Sequence, residues 1–322
     1  MRGARALLAA VLGAAALGGC GSAARVDAPG TQAPAAVEPV PQPPRGPLQA
    51  ANGPLYVDPV TRPLAVKLSD LRDPIRQRFR RPPRSGLLFD LDTGEVLWRQ
   101  NPTRVLPIAS LTKMMTAVLV AERLAPDAMA RITPEVLRYH GSGVGVLPRG
   151  KRVKVETLLH GLLLASGNDA AIALAIRAAG SQRAFVARMN ERAQDLGMAC
   201  TRFASPSGIV DEGNHSCAAD LAAMARAVLD VPRLARIVGR RRARLPFPIK
   251  GGRLELHNTN PLLRRGFPGV IGVKTGYTDA AGRCFVGAAE RNGRRLGVVL
   301  LDSADPERHA RTLLTRGFRA MT

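Results

Sequence analysis

The chain has 322 residues, 46% of them hydrophobic, enough to bury one large core or two modest ones. Its net charge of +22 is carried mainly by arginine, because the only lysines are Lys67, Lys113, Lys151, Lys154, Lys250 and Lys274. Aromatic residues make up only 4% and no recognition motif appears, so the charge does not mark a nucleic-acid-binding protein.

Arg2 and Arg5 precede an apolar run from Ala6 to Leu17, and Gly18-Gly19-Cys20 follows as a small-residue processing site. These are the three parts of a secretory signal. The run falls short of the about 20 residues that a bilayer span needs. Residues 1–20 therefore read as an export signal, which places the chain outside the cytoplasm. Leu17-Gly18-Gly19-Cys20 also resembles a bacterial lipobox, which implies lipidation of Cys20 and anchoring of the N-terminus at the envelope membrane. The alternative is an ordinary signal cleaved nearby. Residues 21–84 read as a Pro/Ala-rich tether, largely disordered, with Pro-Gln-Pro-Pro at 41–44. Such composition buries too little apolar area to offset its ordering entropy.

A catalytic domain is expected over 85–322. Gly86–Leu91 and Glu95–Trp98 are short apolar runs around Asp92-Thr93-Gly94, the signature of a β-hairpin. Leu111, Met114, Met115, Val118, Leu119 and Ala121 recur at helical spacing, which puts Ser110 at a helix N-terminus. Further helices are expected over Val155–Ala165, Asp169–Ala179 (closed by Gly180), from a Ser181 cap through Leu196, and over Ser216–Leu229. Val270–Tyr277 reads as extended, Cys284–Ala289 and Arg295–Leu301 as strands turned at Asn292-Gly293, and Pro306–Met321 as a closing helix. Strands at both ends of the domain with helices between them predict one antiparallel sheet and a helical lobe. Gly141–Gly145 lacks the ending of a phosphate loop and reads as a flexible loop.

Three short motifs occur in order: Ser110-Leu-Thr-Lys113, Ser166-Gly-Asn168 and Lys274-Thr-Gly276. Ser-x-x-Lys alone is weak, but all three in this order arise by chance on the order of once in a thousand chains or fewer. Serine and lysine three residues apart on a helix share one face. The positive end of the helix dipole favours a developing alkoxide at Ser110. Lysine acts as a base only when neutral, and both burial and a second cation lower its pKa; Lys274 is the natural second cation for Lys113. A strand ending in glycine lets a substrate backbone approach, and the Thr275 hydroxyl and Lys274 charge suit a terminal carboxylate. Together the motifs form a serine acyl-transfer site without histidine.

Beyond Cys20 the cysteines are Cys200, Cys217 and Cys284. In an oxidising compartment Cys200 and Cys217 are a disulfide candidate, worth about 3 kcal/mol by the chain-entropy estimate. Zinc held by Cys200, His215 and Cys217 is the alternative, and it lacks a fourth ligand of suitable spacing. None of the five histidines, His140, His160, His215, His257 and His309, has a catalytic or metal-binding context. Arg240-Arg241-Arg242 with Arg244 is the densest cationic cluster. It reflects either a compositional bias toward arginine or attraction to an anionic envelope polymer or lipid surface.

Asp92–Leu97, Ala109–Ala117, Ser166–Ala171, Asn258-Thr-Asn260 and Gly272–Thr278 together resemble the penicillin-binding D-alanyl-D-alanine carboxypeptidases, the Ser-x-x-Lys serine DD-peptidases. The likeness covers about Ser85 to Leu301. It implies a mixed α/β fold of the β-lactamase/DD-peptidase type, an antiparallel sheet flanked by helices with an inserted helical lobe. It implies Ser110 as acylated nucleophile, Lys113 as its base, and Ser166 as proton shuttle. Asn168, Lys274, Thr275, Gly276 and Tyr277 would bind substrate, with the N–H groups of Ser110 and Tyr277 as oxyanion hole. Peptidoglycan pentapeptide stems would be the substrate and β-lactam antibiotics covalent inhibitors, with no metal or cofactor required. The chain departs from many members in having room for only one helix after Leu301, where they carry a further β-domain and an amphipathic anchor. It also has Tyr277 where some carry histidine. A DD-endopeptidase or a β-lactamase-like hydrolase is the nearest alternative, and a non-catalytic wall-binding or antibiotic-sensing lipoprotein the more distant one. Class A β-lactamases have Ser-Asp-Asn where this chain has Ser-Gly-Asn.

Overall fold

The computed structural model describes residues 64–69 and 72–321. The expected export signal, Cys20 and most of the expected tether lie outside the described residues.

Strands β1 (Ser85–Asp90), β2 (Val96–Gln100), β3 (Val270–Thr278), β4 (Gly282–Arg291) and β5 (Arg294–Leu301) form one five-stranded sheet in the order β2-β1-β5-β4-β3. Every neighbouring pair is antiparallel, with Ser85 opposite Leu301 and Phe285 opposite Leu300. β5 is apolar from Leu296 onward and buried along that length, as a central strand covered on both faces must be. The pieces predicted at the two ends of the domain therefore meet in one sheet.

Alternation along the strands divides the core in two. Leu88, Phe285, Leu296, Val298 and Leu300 point to one face, where helix α7 (Pro306–Ala320) covers them with Ala310, Leu313, Leu314 and Phe318. Leu87, Phe89, Val286, Val299 and Leu301 point to the other, toward the helical lobe inserted between β2 and β3. That lobe contains α1 (Lys113–Arg123), α2 (Val155–Leu163), α3 (Asn168–Ala179), α4 (Gln182–Asp195), α5 (Ala218–Asp230) and α6 (Pro232–Val238). α1 is buried from Lys113 through Ala121, so it is the lobe's central helix. Ser181 caps α4 by accepting the Ala184 N–H, as its sequence context predicts.

Two features differ from expectation. The segment 64–84, assigned above to the tether, lies against the domain where it is described. Lys67 N–H donates to Gly94 O at 2.8 Å, Ile75 N–H to Leu97 O at 3.0 Å, and the Trp98 indole N–H to Gln77 O at 2.9 Å. The buried Arg226 guanidinium donates to Leu64 O and Leu91 O, joining the segment to the first hairpin. The folded unit thus starts at least 20 residues before Ser85; its anchors Leu64, Ile75 and Phe79 are too widely spaced among arginines to show a period. The second difference is a two-stranded hairpin, Arg242–Pro246 with Arg253–His257, where the cationic run suggested no element. Its inward residues Ala243, Leu254 and Leu256 alternate with the exposed Arg242, Arg244, Arg253, Glu255 and His257, and that period of two is the signal that was there to read.

Candidate active site

Ser110 sits in a 3₁₀ turn, Ala109–Thr112, that runs directly into α1. A 3₁₀ turn has about three residues per turn, so side chains at i and i+3 eclipse. The Ser-x-x-Lys spacing uses this: Lys113 Nζ lies 2.8 Å from Ser110 Oγ. Nζ also donates to Ser207 O at 2.7 Å. The Lys113 side chain is wholly buried. Burial is the main cause that brings its pKa well below the ordinary lysine value; Lys274 adds to the fall and Asp169 opposes it.

Ala109 takes a positive φ of 48°, a strained choice for a residue with a side chain. Gly208 explains what holds it. A Cβ at Gly208 would collide with Ala109 O and the Thr112 hydroxyl, so the loop at 205–209 presses directly on the serine turn. That loop is itself fixed: Thr116 Oγ1 donates to Pro206 O at 2.6 Å, and Asn214 Oδ1 accepts the Ala204 N–H at 3.0 Å. Ser205-Pro-Ser-Gly208 is a turn signature, and it supplies the carbonyl that orients the base.

Lys274 lies on edge strand β3 and is also fully buried. Burial alone lowers its pKa to about 7, and Nζ donates to Thr275 O at 2.8 Å. The glycine of this motif also has a reason within the fold. A Cβ at Gly276 would stand 3.0 Å from Ile108 O and 3.2 Å from Ser110 N, so glycine lets the strand abut the serine turn itself. Thr275 Oγ1 is 2.7 Å from Thr259 Oγ1, and Asn260 Nδ2 donates to Gly272 O at 2.9 Å. Asn258-Thr-Asn260, singled out by resemblance without a role, therefore braces β3. Tyr277 is 61% exposed beside this strand, with its hydroxyl 2.9 Å from Asp279 Oδ1.

Ser166 joins α2 to α3 with a φ of 60° and is buried. Lys113 Nζ is directed to Ser110 and Ser207, so the structure does not place Ser166 among its hydrogen-bond partners. Asn168 Nδ2 donates to His140 O, while its buried Oδ1 has no protein partner and is available to an incoming N–H donor. Asp169 accepts the N–H groups of Val144 and Gly145 at 2.8 and 3.0 Å, tying the 141–145 loop to the site. A serine hydroxyl against a buried lysine of lowered pKa, a second buried lysine on an edge strand and an unpaired amide oxygen are an arrangement that can support acylation of the serine.

A family model described as D-alanyl-D-alanine carboxypeptidase matches residues 81–305. The chain belongs to that family. The D-alanyl-D-alanine carboxypeptidase DacF of Bacillus subtilis is 36% identical over 232 residues, 70% of this chain and 59% of the relative. DacB2 of Mycobacterium tuberculosis is 38% identical over 224 residues, 68% of this chain and 75% of the relative. A solved D-alanyl-D-alanine carboxypeptidase from the same species superposes with a TM-score of 0.70 at 34% identity, covering 76% of this chain and 94% of the other. This member of the family thus spans under two thirds of DacF and three quarters of DacB2. Its mixed α/β fold, with an antiparallel sheet and an inserted helical lobe, is the fold of these peptidases.

Cys200 and Cys217 are joined as a disulfide with Cα atoms 5.7 Å apart. Asp220 lies beside them and accepts the Cys200 N–H and the Thr201 hydroxyl, both at 2.7 Å. Sulfur bonded to sulfur has no thiolate to offer, so this group does not suit a metal ion. Cys284, on β4, is buried and burial pushes its thiol up to about 12, an inert core side chain.

Proposed function

We propose that the chain is a serine-type D-Ala-D-Ala carboxypeptidase that removes the terminal D-alanine of peptidoglycan stem peptides through an acyl-enzyme. The observation that carries this reading is the 2.8 Å contact between Ser110 Oγ and a buried Lys113 whose pKa is lowered.

The stem peptide lies along the exposed edge of β3, pairing main chain to main chain. Its terminal carboxylate meets the Thr275 hydroxyl and the charge of Lys274, and Asn168 Oδ1 accepts one of its backbone N–H groups. Neutral Lys113 takes the Ser110 proton as Oγ attacks the carbonyl of the penultimate D-alanine. The N–H groups of Ser110 and Tyr277 hold the oxyanion, where losing one donor costs about 2.7–4 kcal/mol. Ser166 passes the proton to the leaving D-alanine amine, and water then hydrolyses the ester. Penicillin acylates the same serine. The chain acts outside the cytoplasm; residues 1–20 direct export, and Cys20 carries the lipid that holds the N-terminus at the membrane. Among the described residues no helix is long and apolar enough to cross a membrane.

The test is incubation with labelled penicillin and with a D-Ala-D-Ala peptide, beside Ser110→Ala. The parent becomes labelled, lets the bound penicillin go only slowly and releases D-alanine from the peptide, and the variant is neither labelled nor releases D-alanine. A parent that remains unlabelled and releases no D-alanine refutes the reading, and rapid release of hydrolysed penicillin would identify a β-lactamase instead. Mass spectrometry of the mature N-terminus decides on lipidation at Cys20.

A further inference from the structure

The largest feature that the acylation chemistry leaves unused is a cationic surface beside the cleft. Residues 232–265 contain ten arginines and lysines against one acidic residue, Glu255. Arg233 is spent internally on Glu156 at 2.8 Å, but the other nine are exposed. The hairpin Arg242–Pro246/Arg253–His257 organises them. Its inward positions are buried, which turns Arg242, Arg244, Arg253 and His257 outward on one face. Arg242 and Arg244 are two residues apart on one strand, about 7 Å along it. Glu255 pairs with Arg244 at 3.3 Å, and Arg265 with Glu307 at 3.7 Å. Among the described residues no carboxylate lies within ion-pair distance of Arg242, Lys250 or Arg253.

The position of this face decides what it serves. The second strand of the hairpin runs straight into Asn258-Thr259-Asn260, whose threonine bonds the carboxylate-binding Thr275. Asn258 Nδ2 donates to Arg240 O at 2.8 Å, so the arginine run and the cleft wall are one rigid piece. An anion lying on the hairpin is therefore continuous with a substrate on β3. None of the exposed large apolar residues, Val105, Met129, Val146, Val210 and Tyr277, belongs to the hairpin, so it offers nothing for insertion into a bilayer.

We propose that the hairpin face 242–257 docks the polymeric substrate, gripping carboxylates of stem peptides that neighbour the one being cut. This rests on the peptidase reading above: every stem that is not joined through its C-terminus ends in a carboxylate, so a strand carrying many such stems presents many anionic groups. Charges of one sign beside a cleft raise the local concentration of an oppositely charged substrate, and salt weakens the effect. A short peptide gains little, because a single carboxylate is already held by Lys274 and Thr275.

The experiment compares the full chain with a variant carrying Arg242→Gln, Arg244→Gln and Arg253→Gln. Co-sedimentation with purified sacculi freed of phosphodiester polymers, done on a Ser110→Ala background, reads binding without turnover. D-Alanine release from a short peptide and from sacculi reads activity. The variant should bind sacculi about tenfold more weakly at low salt, a gap that closes as salt rises. Its kcat/KM on the short peptide stays unchanged, and amidating the sacculus carboxylates removes the parent's advantage. Equal sedimentation of parent and variant overturns the proposal, as does equal loss on both substrates. Lost binding to anionic-lipid vesicles with sacculus binding intact also overturns it, in favour of a lipid partner. If the parent releases no D-alanine at all, the peptidase reading fails, and the sedimentation arm still decides the surface.

Discussion

The face of the sheet under α7 and the face under α1 differ in what they bury. Under α7 the contact is Leu88, Phe285, Leu296, Val298 and Leu300 against Ala310, Leu313, Leu314 and Phe318. Its buried histidine, His309, has Nδ1 2.8 Å from Ser303 Oγ. Under α1 the same depth of protein holds Lys113, Thr116, Asn168, Asp169 and Lys274. Burying an ammonium group in place of a hydrocarbon is unfavourable unless the group is neutral or well paired. One face therefore supplies stability, and the other gives some of it up to hold Lys113 at a lowered pKa.

The largest expected effect follows from removing that base. Lys113→Met keeps the volume of the side chain and deletes proton transfer, so acylation by labelled penicillin should fall on the order of 10³-fold. The same variant should melt at a higher temperature than the parent, because it no longer buries an amine. A variant that loses activity and also loses stability would break the comparison, since Lys113 would then be holding the fold.

Lys274 sharpens it through pH. Its pKa is about 7 in the folded protein against 10.5 for the ordinary side chain. Between those values the unfolded chain binds more protons than the folded one, so unfolding free energy rises with pH across that window and falls again as pH drops toward about 7. Lys274→Met should flatten this rise and add a few kcal/mol at pH 7, each pKa unit being worth about 1.36 kcal/mol. The pH dependence of acylation carries a second sign. Neutral Lys113 is the active form, so the rate climbs with pH through its lowered pKa, and a charged Lys274 helps to lower it. Lys274→Met should move the ascending limb to higher pH. An unmoved limb would mean that burial alone prepares the base.

On the α7 face the expectation reverses. Leu313→Ala should cost about 2–5 kcal/mol in stability and leave the acylation rate of the folded protein unchanged. Denaturant titration and penicillin labelling of one sample would separate the two. A large fall in labelling at full folding would couple α7 to the site and refute the division.

How much was legible follows the same line. The strands and α7 were readable because apolar residues on a sheet face or helix stripe repeat with a fixed period. Ser110, Lys113 and Lys274 were readable as motifs because acylation needs particular groups at particular spacings. What escaped was whatever acts through the backbone or through long-range contact. The Ser207 carbonyl that orients Lys113, the Gly208 approach that holds Ala109, and the Gly276 contact with the Ser110 turn belong to no local pattern. Residues 64–84 escaped because Leu64, Ile75 and Phe79 are isolated anchors whose partners lie in distant elements.

The smallest effect tests whether the contrast extends to helix ends. α7 and α4 begin with side-chain caps: Asp305 accepts the Arg308 N–H at 3.0 Å and Ser181 the Ala184 N–H at 3.1 Å. α1 and α3, which open on the active site, have no side-chain cap at Thr112 or Gly167, and α2, α5 and α6 of the same lobe have none either. A capping side chain at those two ends would occupy space and N–H groups that the serine turn and the 141–145 loop already use. Asp305→Ala should therefore cost about 1 kcal/mol, the ordinary value of a lost cap, with penicillin labelling unaffected. If the loss instead reached the labelling rate, the cap would be holding the end of β5 against β1, and the α7 face could no longer be treated as separate from catalysis.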